Sequence, residues 1–223
     1  MTPAVSCVYA DEHLLVLYKP AGLLSVPGRG ADKQDCLSQR ALLDFPDALV
    51  VHRLDMATSG LVLMARSLAM QRALGLMFER RQIGKRYLAV VDGQLALPPD
   101  TSPGGWGLID LPIAADWPRR PLQMIDTVAG KPSQTCWQPL AQQAQQPAND
   151  PHTTRLLLEP LTGRTHQLRL HLQAIGHPIL GDMLYAPAAV QVRASRLLLQ
   201  ATQLRLVHPA TGSALCIDCP ADF

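Results

Sequence analysis

Apolar and polar positions come in blocks along this chain, and the blocks predict its elements. "HLLVLYKP" (13–20) is an apolar run stopped by proline, which predicts a strand, and "AGLLSVPGRG" after it predicts a Gly/Pro loop. "DCLSQRALLDF" (35–45) has the pattern of a short helix with an acidic start, and "GLVLMA" (60–65) that of a buried strand. From Ser67 the apolar residues Ala69, Met70, Ala73, Leu74, Met77 and Phe78 fall on one helical face. "RYLAVVDG" (86–93), "QTCWQPLA" and "TTRLLLEPL" predict three more strands. The stretches "LALPPDTSPGGWG" and "QQAQQPANDPH" predict surface loops. "RTHQLRLHLQAIG" (164–176) predicts a helix ended by glycine, with Leu168, Leu172 and Ile175 facing inward, and two strands, within 196–209 and at "ALCIDCP", close the chain. Many strands with few helices and no strict βαβ alternation imply an α+β fold. The sheet is expected to be mixed and largely antiparallel, with flanking helices, in one domain over residues 1–223.

One block breaks the pattern. "VVHRLDMATSGLVLMARS" (50–67) sets a polar island of His52, Arg53, Asp55, Thr58 and Ser59 between two apolar runs. A carboxylate in such a setting must be hydrogen-bonded or paired, or burial drives its pKa up. Asp55 is therefore either one half of a structural salt bridge at a strand end, or a nucleophile or base held at a fixed point by rigid flanking strands. Gly60 permits a backbone angle other residues avoid. Tyr87 follows the densest basic cluster; it is either packing within a strand or an aromatic face able to stack on a base. Arg164, expected at a helix start, is unfavourable for the helix dipole and so calls for a separate anionic partner, a carboxylate such as Asp55 or a phosphate.

Composition narrows the classes. The chain has 223 residues, nearly half apolar, with a net charge of only +2. No apolar run reaches the length of a membrane span, and "MTPAVSCVYADEHLL" lacks the basic start and apolar segment of a signal peptide. Five scattered cysteines argue for a reducing cytoplasm, and Cys216 and Cys219 of "CIDC" are expected to be buried strand residues. The positive charge is local: Arg80, Arg81, Lys85 and Arg86; Arg119 and Arg120; Arg164 and Arg169. Three clusters in a nearly neutral protein suggest a patch for a polyanion. No GxxxxGK[ST], HExxH or G-x-S-x-G occurs, and His166 and His171 are badly spaced for joint metal ligation, so the chain is expected to work without metal or coenzyme.

"HRLDMATSG" resembles, without a gap, the HRLDxxTSG motif of the RluA-type pseudouridine synthases. "KPAGLLSVPG", "KRYLAVVDG" and "GRTHQLRLHLQAIGHPILGD" are similar to that family's other blocks, in order, so the resemblance covers nearly the whole chain. "DWPRRP", "GKPSQT" and "PADF" are most like the members that lack an N-terminal S4-like module, and none is expected here. The resemblance implies the pseudouridine synthase fold with a central RNA-binding cleft. It also implies isomerisation of uridine in RNA, without a cofactor, in the tRNA anticodon stem-loop, in a 23S rRNA hairpin, or in both. Carried over, Asp55 is the nucleophile, attacking C1′ or C6 or acting through a glycal. Tyr87 stacks on the extruded base near the C5 proton, and Arg164 pairs with Asp55. Leu168 lies against the base or simply in the core. Arg53 fills the gap in the RNA stack, His52 belongs to the RNA-facing set without a separate role, and Arg80, Arg81, Lys85 and Arg86 hold phosphates. A monomer is expected. Two rivals remain: a non-catalytic RNA-binding module, and an Asp-dependent nucleoside or glycoside hydrolase, which would want a second carboxylate where these blocks supply arginine and tyrosine.

Overall fold

The computed structural model describes residues 5–97, 105–140 and 152–223, so most of the two loops expected between 95 and 107 and between 142 and 152 lies outside the described residues. Strands are β1 (Ser6–Ala10), β2 (Leu14–Lys19), β3 (Leu49–Val50), β4 (Ser59–Ala65), β5 (Gly84–Asp92), β6 (Gly107–Asp110), β7 (Ile113–Ala115), β8 (Gln123–Ile125), β9 (Gln134–Pro139), β10 (Thr153–Pro160), β11 (Leu199–Val207) and β12 (Ala214–Asp218). The longer helices are α1 (Leu37–Asp44), α2 (Leu68–Glu79) and α3 (Gln167–Ala174). The chain forms two compact units, residues 1–85 with 200–221, and residues 86–199 with 222–223. The fold is α+β, as expected.

In the first unit, β4 pairs antiparallel with β2 and with the short β3, β2 with β1, and β11 with β12, while β4 and β11 run parallel. Every residue of β4 is buried, which explains its unbroken apolar run. Leu61, Leu63 and Ala65 pack with Leu14 and Val16 of β2, Met70 and Leu74 of α2, and Leu204 and Leu206 of β11. Each such Leu contributes about 1.5–3 kcal/mol. Gly60 is required here: its φ is +111°, and a Cβ would lie 2.2 Å from the Ala201 carbonyl oxygen, so β4 and β11 approach only because this residue has no side chain.

Helix α2 begins where expected. Ser67 caps it by accepting from the Met70 amide at 3.1 Å. Met70 and Leu74 are buried and Ala73, Met77 and Phe78 half-buried, but Ala69, expected on the inner face, is exposed at the edge of the stripe. The helix ends in paired 6→1 and 5→2 bonds, Gln82 N–H to the Met77 carbonyl and Arg81 N–H to the Phe78 carbonyl. Arg81 fills the left-handed position, φ +58°, where glycine is usual.

In the second unit, β10 pairs antiparallel with β5 and β9, and β9 with β6, while β7 and β8 form a separate two-stranded ribbon carrying "DWPRRP" at its turn. Helix α3 starts at Gln167, three residues later than the sequence pattern suggested, because His166 takes a left-handed conformation at φ 56° and interrupts the spiral. Its end is as expected, with Gly176 at φ 86°. Leu168 and Leu172 are buried and Ile175 half-buried. Cys216 is exposed and Cys219 only half-buried, contrary to expectation: in β12 Ile217 takes the inner face, which turns Cys216 outward.

Candidate active site

Asp55 lies in the segment between β3 and β4, where each residue is held for a separate reason. The β3–β4 ladder stops at the pair Val50 with Met64, and the next free amide of β4, Leu63 N–H, donates to Nε2 of His52 at 2.8 Å. The His52 ring, half-buried and lying 4.6 Å from the Phe78 ring, is thus a neutral acceptor standing in for a strand partner. Burial, aided by the charge of Lys85, pushes its pKa down to about 3. Nε2 of His52, a residue that the sequence placed in the RNA-facing set without a separate role, is therefore engaged by the backbone.

After exposed Arg53, Leu54 is buried and pinned by one side chain. Ser25 Oγ donates to its carbonyl at 2.7 Å and accepts from its amide at 3.0 Å. Asp55 follows, half-buried, and its carbonyl accepts from the Thr58 amide at 3.1 Å to close a turn over Met56 and Ala57. The Met56 carbonyl then accepts twice, from Gly22 N–H at 2.8 Å and from Lys19 Nζ at 3.0 Å. Lys19 also donates to the Leu23 and Pro20 carbonyls, at 2.7 and 2.9 Å. It is a fully buried cation, and burial pulls its pKa down to about 8 while the charge of Asp55 opposes that fall. The sequence reading passed over Lys19 and Ser25, although a lysine closing an otherwise apolar strand was a visible signal.

The basic clusters come apart by environment. Arg80 and Arg81 are exposed at the end of α2. Lys85 packs its ammonium 5.7 Å from the Phe78 ring centre, with burial lowering its pKa, and Arg86 pairs with Glu159 at 3.0 Å. Arg169, expected in an anion-binding patch, is instead buried against Asp182, its Nε and Nη2 donating to the two carboxylate oxygens. A partner thirteen positions away cannot be read from spacing. Arg119 pairs with Asp116 at 2.7 Å, and the Arg120 guanidinium lies 3.5 Å from the centre of the exposed Trp117 ring.

The other named residues belong to the second unit. Tyr87, on β5 opposite Leu158 of β10, is buried, with 9 % of its surface exposed. Arg164 is exposed in the turn before α3, and its backbone is locked by Gln167. The Gln167 amide donates to the Arg164 carbonyl, and its side-chain oxygen accepts from the Arg164 amide at 3.0 Å. The same oxygen accepts from Thr162 Oγ1 at 2.7 Å, and Gln167 Nε2 donates to the Gln134 carbonyl and Thr135 Oγ1. His166 Nδ1 meets the Tyr185 hydroxyl at 2.7 Å, and that hydroxyl accepts from the Gln123 amide. His171 is buried between Thr135 Oγ1 and the Leu111 carbonyl. Leu168 is buried, with 7 % of its surface exposed.

Residues 13–174 match the RNA pseudouridylate synthase family model. The chain is 44% identical over 221 residues to "Dual-specificity RNA pseudouridine synthase RluA" of Escherichia coli (strain K12), covering 99% of this chain and 95% of that protein. To the protein of the same name from Yersinia pestis it is 45% identical over 216 residues, 97% and 98% of the two. Among solved structures it is similar to "Human RNA Pseudouridylate Synthase Domain Containing 1", with a TM-score of 0.76 at 29% identity, over 100% of this chain and 86% of that one.

Proposed function

The chain belongs to the RNA pseudouridylate synthase family, and from that premise we propose that Asp55 is the carboxylate with which it converts a uridine of structured RNA to pseudouridine. The observation that carries the reading is the setting of Asp55 within "HRLDMATSG": a half-buried carboxylate on a turn whose flanking residues Leu54 and Met56 both have their carbonyls pinned. A nucleophile held this way loses little entropy on reaching its transition state.

The reaction is an isomerisation. The N1–C1′ bond breaks, the base turns, C5 bonds to C1′, the proton on C5 leaves, and N1 gains one. Asp55 supplies the electron pair, at C1′ or C6, or as the base that leads to a glycal. Tyr87 is proposed to stack on the extruded uracil near C5, and Arg164 to balance the charge of the carboxylate. Arg53 fills the vacated place in the RNA stack, with Leu168 against the base. Arg80 and Arg81, both exposed, are the best placed of their cluster to hold phosphates. Lys85 and Arg86 would have to leave Phe78 and Glu159 to join them. Flipping a uridine from a loop costs a few kcal/mol, which stacking and phosphate contacts can offset.

The RluA relatives are named as dual-specificity enzymes, and the proposed substrates here are the tRNA anticodon stem-loop and a 23S rRNA hairpin, recognised by shape and splayed bases. Among the described residues no helix is long and apolar enough to cross a membrane, and all five cysteines are free. We place the protein in the cytoplasm, as a monomer. Purified protein should convert one uridine of an anticodon stem-loop transcript with no change in RNA mass, read by carbodiimide labelling and reverse transcription. An unmodified transcript would overturn the proposal, and released uracil would indicate a hydrolase instead.

A further inference from the structure

One buried side chain closes the turn that carries Arg164. Gln167 Oε1 accepts from the Arg164 amide at 3.0 Å and from Thr162 Oγ1 at 2.7 Å, so a single oxygen takes bonds from both neighbours of Gly163. The Gln167 amide donates to the Arg164 carbonyl at 3.1 Å, which fixes Arg164 at both of its backbone groups. This is the backward reach of a capping box, with an arginine in the place of the usual serine or threonine. We propose that Gln167 is a positioning residue for the reaction, its side-chain oxygen fixing the backbone from which Arg164 extends its guanidinium. The proposal rests on the charge-balancing role proposed for Arg164.

Backbone groups decide which way the Gln167 amide points. The Arg164 N–H can only donate and the Gln134 carbonyl can only accept, so oxygen faces the first and nitrogen the second, at 2.9 Å. Nε2 gives its other proton to Thr135 Oγ1 at 3.0 Å. Thr135 then has its own proton for Nδ1 of His171, 2.9 Å away, and His171 donates from Nε2 to the Leu111 carbonyl at 2.9 Å. Burial lowers the His171 pKa, which keeps the ring in the neutral form this order requires. On the other side, Thr162 Oγ1 accepts from the Gln134 N–H and keeps its proton for Gln167 Oε1. Gln167 is only 4 % exposed, so water is poorly placed to replace a lost partner.

Gly163 makes such a clamp necessary. Glycine leaves the chain its widest choice of angles, and a long side chain on the next residue carries any drift of that backbone out to its charged end. A misplacement of about 1 Å can cost on the order of 100-fold in rate. The two halves of the Gln167 amide therefore differ in what they do. Oε1 serves Arg164, whereas the Nε2 side, with Thr135 and His171, ties α3 to β9 and to Leu111 just after β6. A glutamine that merely supported the fold would make turnover follow stability whichever side is cut. A positioning glutamine makes turnover depend on the Oε1 side alone.

The test measures kcat and KM on the stem-loop transcript, beside thermal unfolding, for wild type, Gln167→Leu, Thr162→Val, Thr135→Val and Arg164→Ala, and for Gln167→Leu combined with Arg164→Ala. Gln167→Leu should lower kcat on the order of 10-fold with KM nearly unchanged. Thr135→Val, which cuts bonds on the Nε2 side only, should lower the unfolding midpoint and keep kcat near that of wild type. Added to Arg164→Ala, Gln167→Leu should cost no further turnover, because the side chain it positions is gone. A folded Gln167→Leu with wild-type kcat, an equal loss of kcat in Thr135→Val, or a full further loss in the double variant would overturn the proposal. If Gln167→Leu does not fold, or Arg164→Ala is too slow to compare, Thr162→Val decides. It removes one of the two bonds to Oε1 and should lower kcat on the order of several-fold more than Thr135→Val does; equal rates in the two would overturn the proposal. Arg164→Ala with wild-type turnover would instead overturn the role of Arg164 itself.

Discussion

His52 carries a titration that reports on the segment holding Asp55. Its neutral ring accepts from Leu63 N–H; protonation would set two N–H groups against each other. The folded pKa, near 3, lies below the ordinary 6.5, so stability is fully present above 6.5 and is lost as pH falls toward 3. The loss amounts to about 5 kcal/mol at most. In His52→Gln, whose side chain can still accept from Leu63, thermal unfolding should lose this slope between those pH values; an unchanged slope would remove His52 as its source. Single residues were unevenly legible in the sequence. Asp55 stood out because a carboxylate between apolar runs needs an explanation. Lys19 and Arg169 did not, since a buried cation is recognised only by its partners, here three carbonyls and Asp182. Arg169 was accordingly misread as part of an anion-binding patch.

Among the elements, α2 links stability to the proposed RNA contact through Arg81. A non-glycine residue in the left-handed position costs about 1 kcal/mol, so Arg81→Gly should raise the unfolding midpoint by a few degrees. If Arg81 holds a phosphate, the same variant should bind RNA more weakly and with a salt dependence shallower by about one counterion. Weaker binding with an unaltered salt slope would count against that contact. Elements with a strong pattern (β2, β4, α2, β10) were readable because burial enforces the periodicity. The two- and three-residue strands β3, β7 and β8 were not, being too short to carry one. The start of α3 was misplaced because the left-handed turn at His166 lies among tertiary bonds, from His166 to Tyr185 and from Gln167 to Gln134 and Thr135.

At the scale of the whole molecule, the first unit is assembled from both ends of the chain. Its buried strand β4 has β11 as parallel partner, and Leu204, Leu206 and Ile217 complete its core. A chain ending at Leu199 should therefore fail to form a stable first unit, seen as lost protection of β4 amides in hydrogen exchange; native protection would contradict this. No local pattern announces that residues 200–221 rejoin residues 1–85, because parallel pairing is a long-range choice. The family motif did announce the chemistry, since "HRLDMATSG" combines the carboxylate, the turn and the glycine of the close approach at Ala201. The central claim is that the Asp55 carboxylate performs the isomerisation. It is tested most directly by comparing wild type with Asp55→Asn on one stem-loop transcript, with binding and pseudouridine formation followed together. The account predicts retained binding and no detectable conversion by the variant; conversion at a rate near that of wild type would contradict it.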